Sequence, residues 1–538
     1  MSEVTRDPGA LRRFAPVVII GLAALSGPIL LLATSTHGIH ITFDSYTYLG
    51  AANNLAHGKG LTYPFGQPGA PVTLFPPLFP ALLSGGYLFG VNELSWALWQ
   101  SAVLFGLLEI VAGLGVYWST NRSLPTALAG MALVLLGVPT LLAYSSVLSE
   151  SIFYPAELAA LFFLGAHLRT DRTRDLILAG VATSIAMLAR YAGLSLLLSG
   201  CLLLVVWPKR RIIDRVRVLA TYAVISLAVS IGWTVRNLVS SSTITGGDHY
   251  SLHALTRAQI GDGLRVVYGW FSTERFPGPA GLDIFVLIGV GTILGTLIWA
   301  ALGGSHRPDL TFPPASVALL VFPVVHFAFL VVVDVFSTRT PPLNVRILGP
   351  MYLALALGLL ILGWAVWQGS GARIIPTRIA LLLGLGALLA IVGMGAHTYI
   401  QQRVSVRTKT ADPLVALSGL LRPAMRADPA TIIYGNDASA TWFATGRAVW
   451  DLPPTCTGLD RIPSPTYHDD LAALGKRLKD KPRMVVVITG EGNLRFTALE
   501  PPACRYSLSE LAAALEVKPH TLPSGVVILT PDGPSRPG

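Results

Sequence analysis

Charge is what this sequence has least of. Of its 538 residues only 13% are Asp, Glu, Lys or Arg, while 52% are hydrophobic and the mean hydropathy is +0.60. Soluble domains carry about 25% charged residues, so most of this chain has a non-aqueous solvent. Cysteine is scarce as well, with three residues. No Cys/His spacing matches a zinc site. Cys201 falls inside an apolar run and reads as packing, while Cys456 and Cys504 fall in the polar C-terminal third. No internal repeat recurs at a fixed period. The net charge of +10 does not point to nucleic acid, because no Lys/Arg run is interleaved with aromatics in a soluble segment.

What the chain does have is a series of apolar runs of about 20 residues, the length that spans a hydrocarbon core roughly 30 Å thick. Eleven spans are expected, at approximately 14–34, 96–118, 124–143, 148–168, 176–189, 192–207, 216–235, 282–302, 312–333, 347–367 and 378–398. The fifth and sixth are short enough to be one broken hairpin. The first run follows Arg12 and Arg13. It is long for a signal-peptide core and no convincing cleavage site follows, so it reads as an uncleaved anchor.

Basic residues set the orientation. With the N-terminus inside, fifteen Lys and Arg fall on inner segments and eight on outer segments before residue 400, although the outer segments are roughly twice as long. Residues 400–538 are then extracytoplasmic. Arg outnumbers Lys, and Ala and Gly are abundant, a composition that suggests a GC-rich bacterial genome. The expectation is a multi-pass protein of a bacterial plasma membrane, with a transmembrane domain over 1–399 and an extracytoplasmic α/β domain over 400–538. The strand candidates of the latter are Thr431–Tyr434, Met484–Thr489 and Val526–Thr530, and its helix candidates are 412–427, 467–480 and 508–516. Lying in an oxidising compartment, Cys456 and Cys504 are expected to pair; the alternative is two buried free thiols.

Two outer loops are long, 35–95 and 237–281. Asp44 stands just after the first span, ahead of an amphipathic stretch. Such an acid suits a helix N-cap, and also a general base that takes a proton from a hydroxyl at the membrane–water boundary. Glu150, at the start of the fourth span, reads either as a helix-start acid favoured by the dipole or as a second acid of a cavity. Glu109 and Glu157 lie deeper and read first as structurally paired, then as substrate contacts. Arg190, Arg236, Arg339 and Arg346 all sit at outer span ends, where positive charge is disfavoured. Snorkelling to headgroups accounts for such arginines, and so does bidentate binding of phosphate. His326 and His167 read as structural.

The loop Asp44-Ser45-Tyr46-Thr47-Tyr48-Leu49, continuing through Ala52-Asn53-Asn54-Leu55-Ala56-His57-Gly58-Lys59-Gly60 to Phe75-Pro76-Pro77-Leu78-Phe79-Pro80, resembles the first extracytoplasmic loop of the GT-C superfamily. The nearest resemblance is to bacterial family 39-like enzymes, related to protein mannosyltransferases and to the aminoarabinose transferase of lipid A. Further matching patches follow in order: Ser149-Glu150, Ala189-Arg190-Tyr191-Ala192-Gly193-Leu194, Trp233-Thr234-Val235-Arg236-Asn237, Val345-Arg346-Ile347-Leu348-Gly349-Pro350 and Thr441-Trp442-Phe443-Ala444-Thr445-Gly446-Arg447.

The resemblance implies an inverting glycosyltransferase. Its donor would be a polyprenyl-phosphate sugar and its acceptor a glycan, lipid or protein, with Asp44 as base and Glu150 as a second acid. Tyr46, Tyr48, His57, Lys59, Arg190, Tyr191, Arg236, Arg339 and Arg346 would contact substrate. Two departures stand out. Many members pair two acids in the first loop, whereas Asp44 is followed by Ser45; hard cations want several oxygen ligands, so no cofactor is expected and a divalent metal is not favoured. The aminoarabinose transferase group has Lys where this chain has Phe75. The alternatives are a transporter or flippase for lipid-linked saccharide, which would place charge near the midplane and often show internal symmetry, and a polymerase or ligase.

Overall fold

In lipid every backbone polar group must be satisfied within the protein, so apolar runs fold as helices. The computed structural model describes residues 8–35, 38–207, 211–241, 313–336, 343–369, 375–409, 431–457, 462–479, 481–488, 504–522 and 526–531, with residues 259, 263, 265–267, 269, 270 and 418 between them. Its helices up to residue 409 are α1 (Pro8–Thr34), α2 (Phe43–Ala56), α3 (Leu78–Leu88), α4 (Glu93–Ser119), α5 (Leu124–Leu136), α6 (Val138–Tyr144), α7 (Glu150–Thr170), α8 (Thr173–Ala189), α9 (Leu194–Val206), α10 (Ile212–Ser241), α11 (Pro314–Phe336), α12 (Val345–Gly369) and α13 (Ile375–Lys409).

Two compact units divide the chain. The first comprises Met1–His40, Thr73–Phe79 and Leu94–Arg403; the second comprises Ile41–Val72, Pro80–Glu93 and Val404–Gly538. This division does not run along the chain at residue 400, because most of the first long loop groups with the C-terminal residues.

The first unit is a helical bundle of a multi-pass membrane protein. Seven described helices (α1, α4, α7, α10, α11, α12 and α13) are long and apolar enough to cross a bilayer, and α5 with α6, bent by 61°, would make an eighth span. The run 124–143, read as one span, is that bent pair: it breaks at Gly137, ahead of Val138 and Pro139. The runs 176–189 and 192–207 fall on α8 and α9, joined by the tight turn Tyr191–Gly193 and shorter than a full span. The run 282–302 lies outside the described residues. Helix α7 is central, its apolar window 83% buried, against 11% for α10 and α13. Val224 and Val229 of α10 and Leu382 and Leu383 of α13 point outward, as side chains facing lipid do.

The second unit is built on a six-stranded sheet of order β1-β3-β2-β6-β8-β7. The strands are β1 (Phe65–Gly66), β2 (Ile432–Gly435), β3 (Val449–Asp451), β6 (Arg483–Ile488), β7 (Lys518–Leu522) and β8 (Val526–Thr530), with β4 (Cys456–Thr457) and β5 (Ile462–Pro463) forming a separate antiparallel pair. Strands β1, β3, β2 and β6 run parallel, while β8 and β7 are antiparallel to their neighbours. Every residue of β6 is buried, and from Met484 to Ile488 it reads as an unbroken apolar run. The helices here are α14 (Ala438–Thr445), α15 (Tyr467–Leu478) and α16 (Leu508–Ala514). Helix α15 sets Tyr467, Leu471, Leu474 and Leu478 on one stripe against Val485, Val487 and Leu529 of the sheet. The helix candidate 412–427 lies outside the described residues apart from Ser418.

Cys456 and Cys504 form a disulfide with Cα atoms 5.4 Å apart, linking residues 48 positions apart in sequence. A loop of that size lowers the entropy of the unfolded chain by an amount worth about 4 kcal/mol at 25 °C. The Cys456→Ala/Cys504→Ala variant is therefore expected to unfold its C-terminal sheet at markedly lower denaturant, read by hydrogen exchange at β6. An unchanged midpoint would show that the bond adds nothing.

Candidate functional site

Three chain segments bring ionic side chains to one end of the first unit. Glu150 is the first residue of α7. Arg190 is the last-turn cap of α8, in extended backbone (φ −151°, ψ 140°) before the chain turns into α9. Arg346 lies in the first turn of α12, which Asn344 caps: its side-chain Oδ1 accepts from the backbone N–H of Arg346 and of Ile347, both at 3.0 Å.

Both guanidinium groups meet the same carboxylate oxygen. Arg190 Nη1 lies 2.6 Å from Glu150 Oε1, and Arg346 Nε donates to that oxygen too. Arg190 also donates to Ser149 Oγ at 3.3 Å. The carboxylate is 1% exposed, while the two arginines keep 15% and 21% of their side-chain surface open. One acid between two guanidiniums leaves a formal charge of +1. Glu150 thus has a holding role, aligning two cations that would otherwise repel each other, and guanidinium groups that keep part of their surface exposed are suited to bidentate contact with an anion.

The surrounding residues fix this cluster. Tyr191 Oη donates to the Thr73 carbonyl at 2.7 Å and accepts from Trp233 Nε1 at 3.1 Å and Asn237 Nδ2 at 3.0 Å. The residue after Arg190 is thereby tied to the end of α10. Arg236 stacks 4.6 Å over the Trp233 ring and donates to Asn237 Oδ1 at 3.0 Å. His326 sits 2.8 Å from Ser195 Oγ and 3.3 Å from the Ile347 carbonyl, bridging α9 to the first turn of α12. A Cβ at Gly349 would overlap the Tyr154 hydroxyl, so glycine is what lets α12 approach α7 beside the cluster.

Pro155 within α7 has no N–H, which frees the carbonyl of Ser151 four residues earlier. The buried Tyr144 hydroxyl donates to that carbonyl at 2.9 Å. Tyr144→Phe should leave the carbonyl unsatisfied and cost about 1–2 kcal/mol; thermal unfolding in detergent would measure it, and an unchanged midpoint would contradict the assignment.

Glu109 and Glu157 depart from the pairing expected of them. Both are buried, and among the described residues neither forms an ion pair. Neither oxygen of Glu157 has a hydrogen-bond partner, nor does Glu109 Oε1. Sequence gave no sign of this, because each lies on a helix rich in small and apolar neighbours.

Asp44 belongs to the second unit. It is half-buried in the first turn of α2. The cap of that helix is formed by Thr42 and Ser45: Ser45 Oγ accepts from the Thr42 N–H at 2.8 Å, and the Ser45 N–H donates to the Thr42 carbonyl at 3.0 Å. Asp44 is therefore not the N-cap residue. Tyr46 and Tyr48 are buried, Tyr46 packing edge-on against Phe443. His57 and Lys59 are exposed, with His57 Nδ1 2.8 Å from the Asn53 carbonyl. Arg339 lies outside the described residues.

A family model described as dolichyl-phosphate-mannose-protein mannosyltransferase matches residues 75–234. That stretch contains Glu150, Arg190 and Tyr191 but neither Asp44 nor Arg346. Among solved structures, ArnT from Cupriavidus metallidurans, bound to undecaprenyl phosphate, matches with a TM-score of 0.60 at 14% identity, covering 96% of this chain and 97% of ArnT. Its apo state matches with a TM-score of 0.59 at 15% identity, with the same coverage. The arabinofuranosyltransferase AftD from Mycobacteria matches with a TM-score of 0.51 at 13% identity, over 95% of this chain and 39% of AftD. At these identities the likeness is one of fold. No protein with a curated description matches the chain by sequence. The resemblance to GT-C glycosyltransferases carried by the sequence motifs is thus found again in a family model and in the fold.

Proposed function

We propose that the chain is an inverting glycosyltransferase that moves a sugar from a polyprenyl-phosphate carrier to a glycan, lipid or protein acceptor on the extracytoplasmic side of the membrane. The observation that carries this reading is the Arg190–Glu150–Arg346 cluster with its formal +1. A polyprenyl-phosphate sugar is a phosphodiester with one negative charge. When its anomeric C–O bond breaks, the leaving phosphate becomes a monoester and gains negative charge. Fixed guanidinium groups favour that gain more than they favour the bound donor, which is the condition for catalysis. The undecaprenyl phosphate in the fold relative supports a polyprenyl carrier.

In the proposed reaction Asp44 accepts the proton of the acceptor hydroxyl. The acceptor oxygen attacks the anomeric carbon from the face opposite the phosphate, and the bond to the phosphate oxygen breaks. Arg236 and Arg339 are assigned to phosphate or sugar as secondary contacts, His57 and Lys59 to the acceptor side, and no cofactor is assigned. The test is thin-layer chromatography of radiolabelled polyprenyl-phosphate sugars incubated with the purified protein and candidate acceptors. The label should move from the lipid to the acceptor, with free polyprenyl phosphate released in equal amount. Label that crosses liposome membranes without leaving the lipid would point to a flippase instead.

A further inference from the structure

The sequence places Asp44 in a loop near the start of the chain, yet the helix that carries it is built into a body formed some 400 residues later. Residues Phe65–Gly66 of that loop pair in parallel with Val449–Trp450 and make the edge strand of the sheet. Two ladder positions are a short hold, and aromatic contacts reinforce it. The Phe65 ring lies 5.6 Å from Trp442, and the Tyr46 ring, two residues after Asp44, lies 5.7 Å from Phe443. Helix α2 packs on α14, the helix that presents both aromatics.

The loop also closes on itself. Gly50 of α2 sits so near Pro64 that a Cβ there would come within 2.8 Å of the proline ring. Asn54 Nδ2 donates to the Thr62 carbonyl and hydroxyl, both at 3.1 Å. Helix α14 is in turn fixed at its start, where Asp437 accepts from the Ala440 N–H at 2.9 Å and the Ser439 hydroxyl at 2.7 Å.

We infer that Trp442 and Phe443 are positioning residues for Asp44: the C-terminal body holds α2, and with it the base, through these two rings and the β1–β3 pairing. This rests on the reading of Asp44 as base. A general base acts only within hydrogen-bond reach of the proton it takes, and a misplacement of about 1 Å can cost on the order of 100-fold in rate. Neither ring is assigned a substrate contact, and Tyr46 and Tyr48 of α2 are buried, Tyr46 against Phe443 itself, so loosening the clamp should lower turnover and leave donor affinity in place.

The experiment uses the full-length chain in nanodiscs, as Phe443→Ala, Trp442→Ala, Gly66→Ala and the conservative Phe443→Tyr. Gly66→Ala attacks the clamp from the loop side: Gly66 has φ +73°, and a Cβ there would meet Asp451 Oδ2 at 2.8 Å. Hydrogen exchange of residues 43–56 is read together with kcat and KM for a polyprenyl-phosphate sugar, with protection of β6 as the check that the sheet stays folded. Phe443→Ala, Trp442→Ala and Gly66→Ala should each speed exchange in α2 and lower kcat at least about tenfold, with KM within about twofold, and Phe443→Tyr should keep both near wild type. Unchanged exchange in α2, or faster exchange with kcat within about twofold of wild type, overturns the inference. A wild-type protein that transfers no sugar, with α2 loosened as expected in the variants, counts against the proposed reaction and leaves the clamp standing.

Discussion

Asp44→Asn is expected to retain donor binding and to lose transfer by at least about 100-fold, the lower end of what a positioned base contributes. A sugar hydroxyl is a poor nucleophile at neutral pH, so its proton must leave as the new bond forms. Asparagine keeps the size and some of the hydrogen bonding of aspartate but not its basicity. Two structural facts sharpen the expectation. Helix α2 is capped by Thr42 and Ser45, so Asp44→Asn does not remove a cap. Glu150, the other candidate acid, is 1% exposed and its Oε1 holds two arginines, which suits it to a holding role. The check is kcat against KM for a polyprenyl-phosphate sugar. Transfer within a few-fold of wild type, at normal expression, would remove Asp44 from the role.

Much of the bundle was legible because a bilayer imposes its own ruler. Runs of about 20 apolar residues can hardly be anything but helices, and α1, α4, α7, α10, α11, α12 and α13 fall where such runs are. Legibility failed where the ruler does not apply. Residues 124–143 have the length of one span, but a bend of 61° splits them into α5 and α6. In the second unit, β2, β6 and β8 coincide with apolar strand candidates, whereas β1 is two residues long and has no periodicity to read. Its partner lies 384 positions away, Phe65 against Val449, so only tertiary structure reveals that the first loop completes the sheet.

The candidate site was legible by a different route. Arg190 and Arg346 drew attention because they stand at the span ends where positive charge is disfavoured. That both would close on Glu150 was not readable, since the pairs are separated by 40 and 196 positions. Tyr144 was missed for a similar reason: its hydroxyl matters only because Pro155 frees the Ser151 carbonyl.

Arg346→Ala carries the second large expected effect. It removes a guanidinium that is 21% exposed beside a fully buried carboxylate, and takes the cluster from +1 to neutral. Hydrogen bonds to charged groups contribute about 1.5–3 kcal/mol, so binding of a polyprenyl phosphate should weaken roughly 10–100-fold. Arg346→Lys keeps the charge but not the planar fork, and should fall in between. Arg169 is the control: an exposed arginine at the opposite end of α7, donating to the Trp118 carbonyl at 3.3 Å. The most direct measurement is equilibrium binding of undecaprenyl phosphate to the purified full-length chain. Saturable binding by wild type, matched by Arg169→Ala and weakened at least about tenfold by Arg346→Ala, is the predicted result. Equal binding by all three, or none by wild type, would contradict a phosphate site at Arg190–Glu150–Arg346.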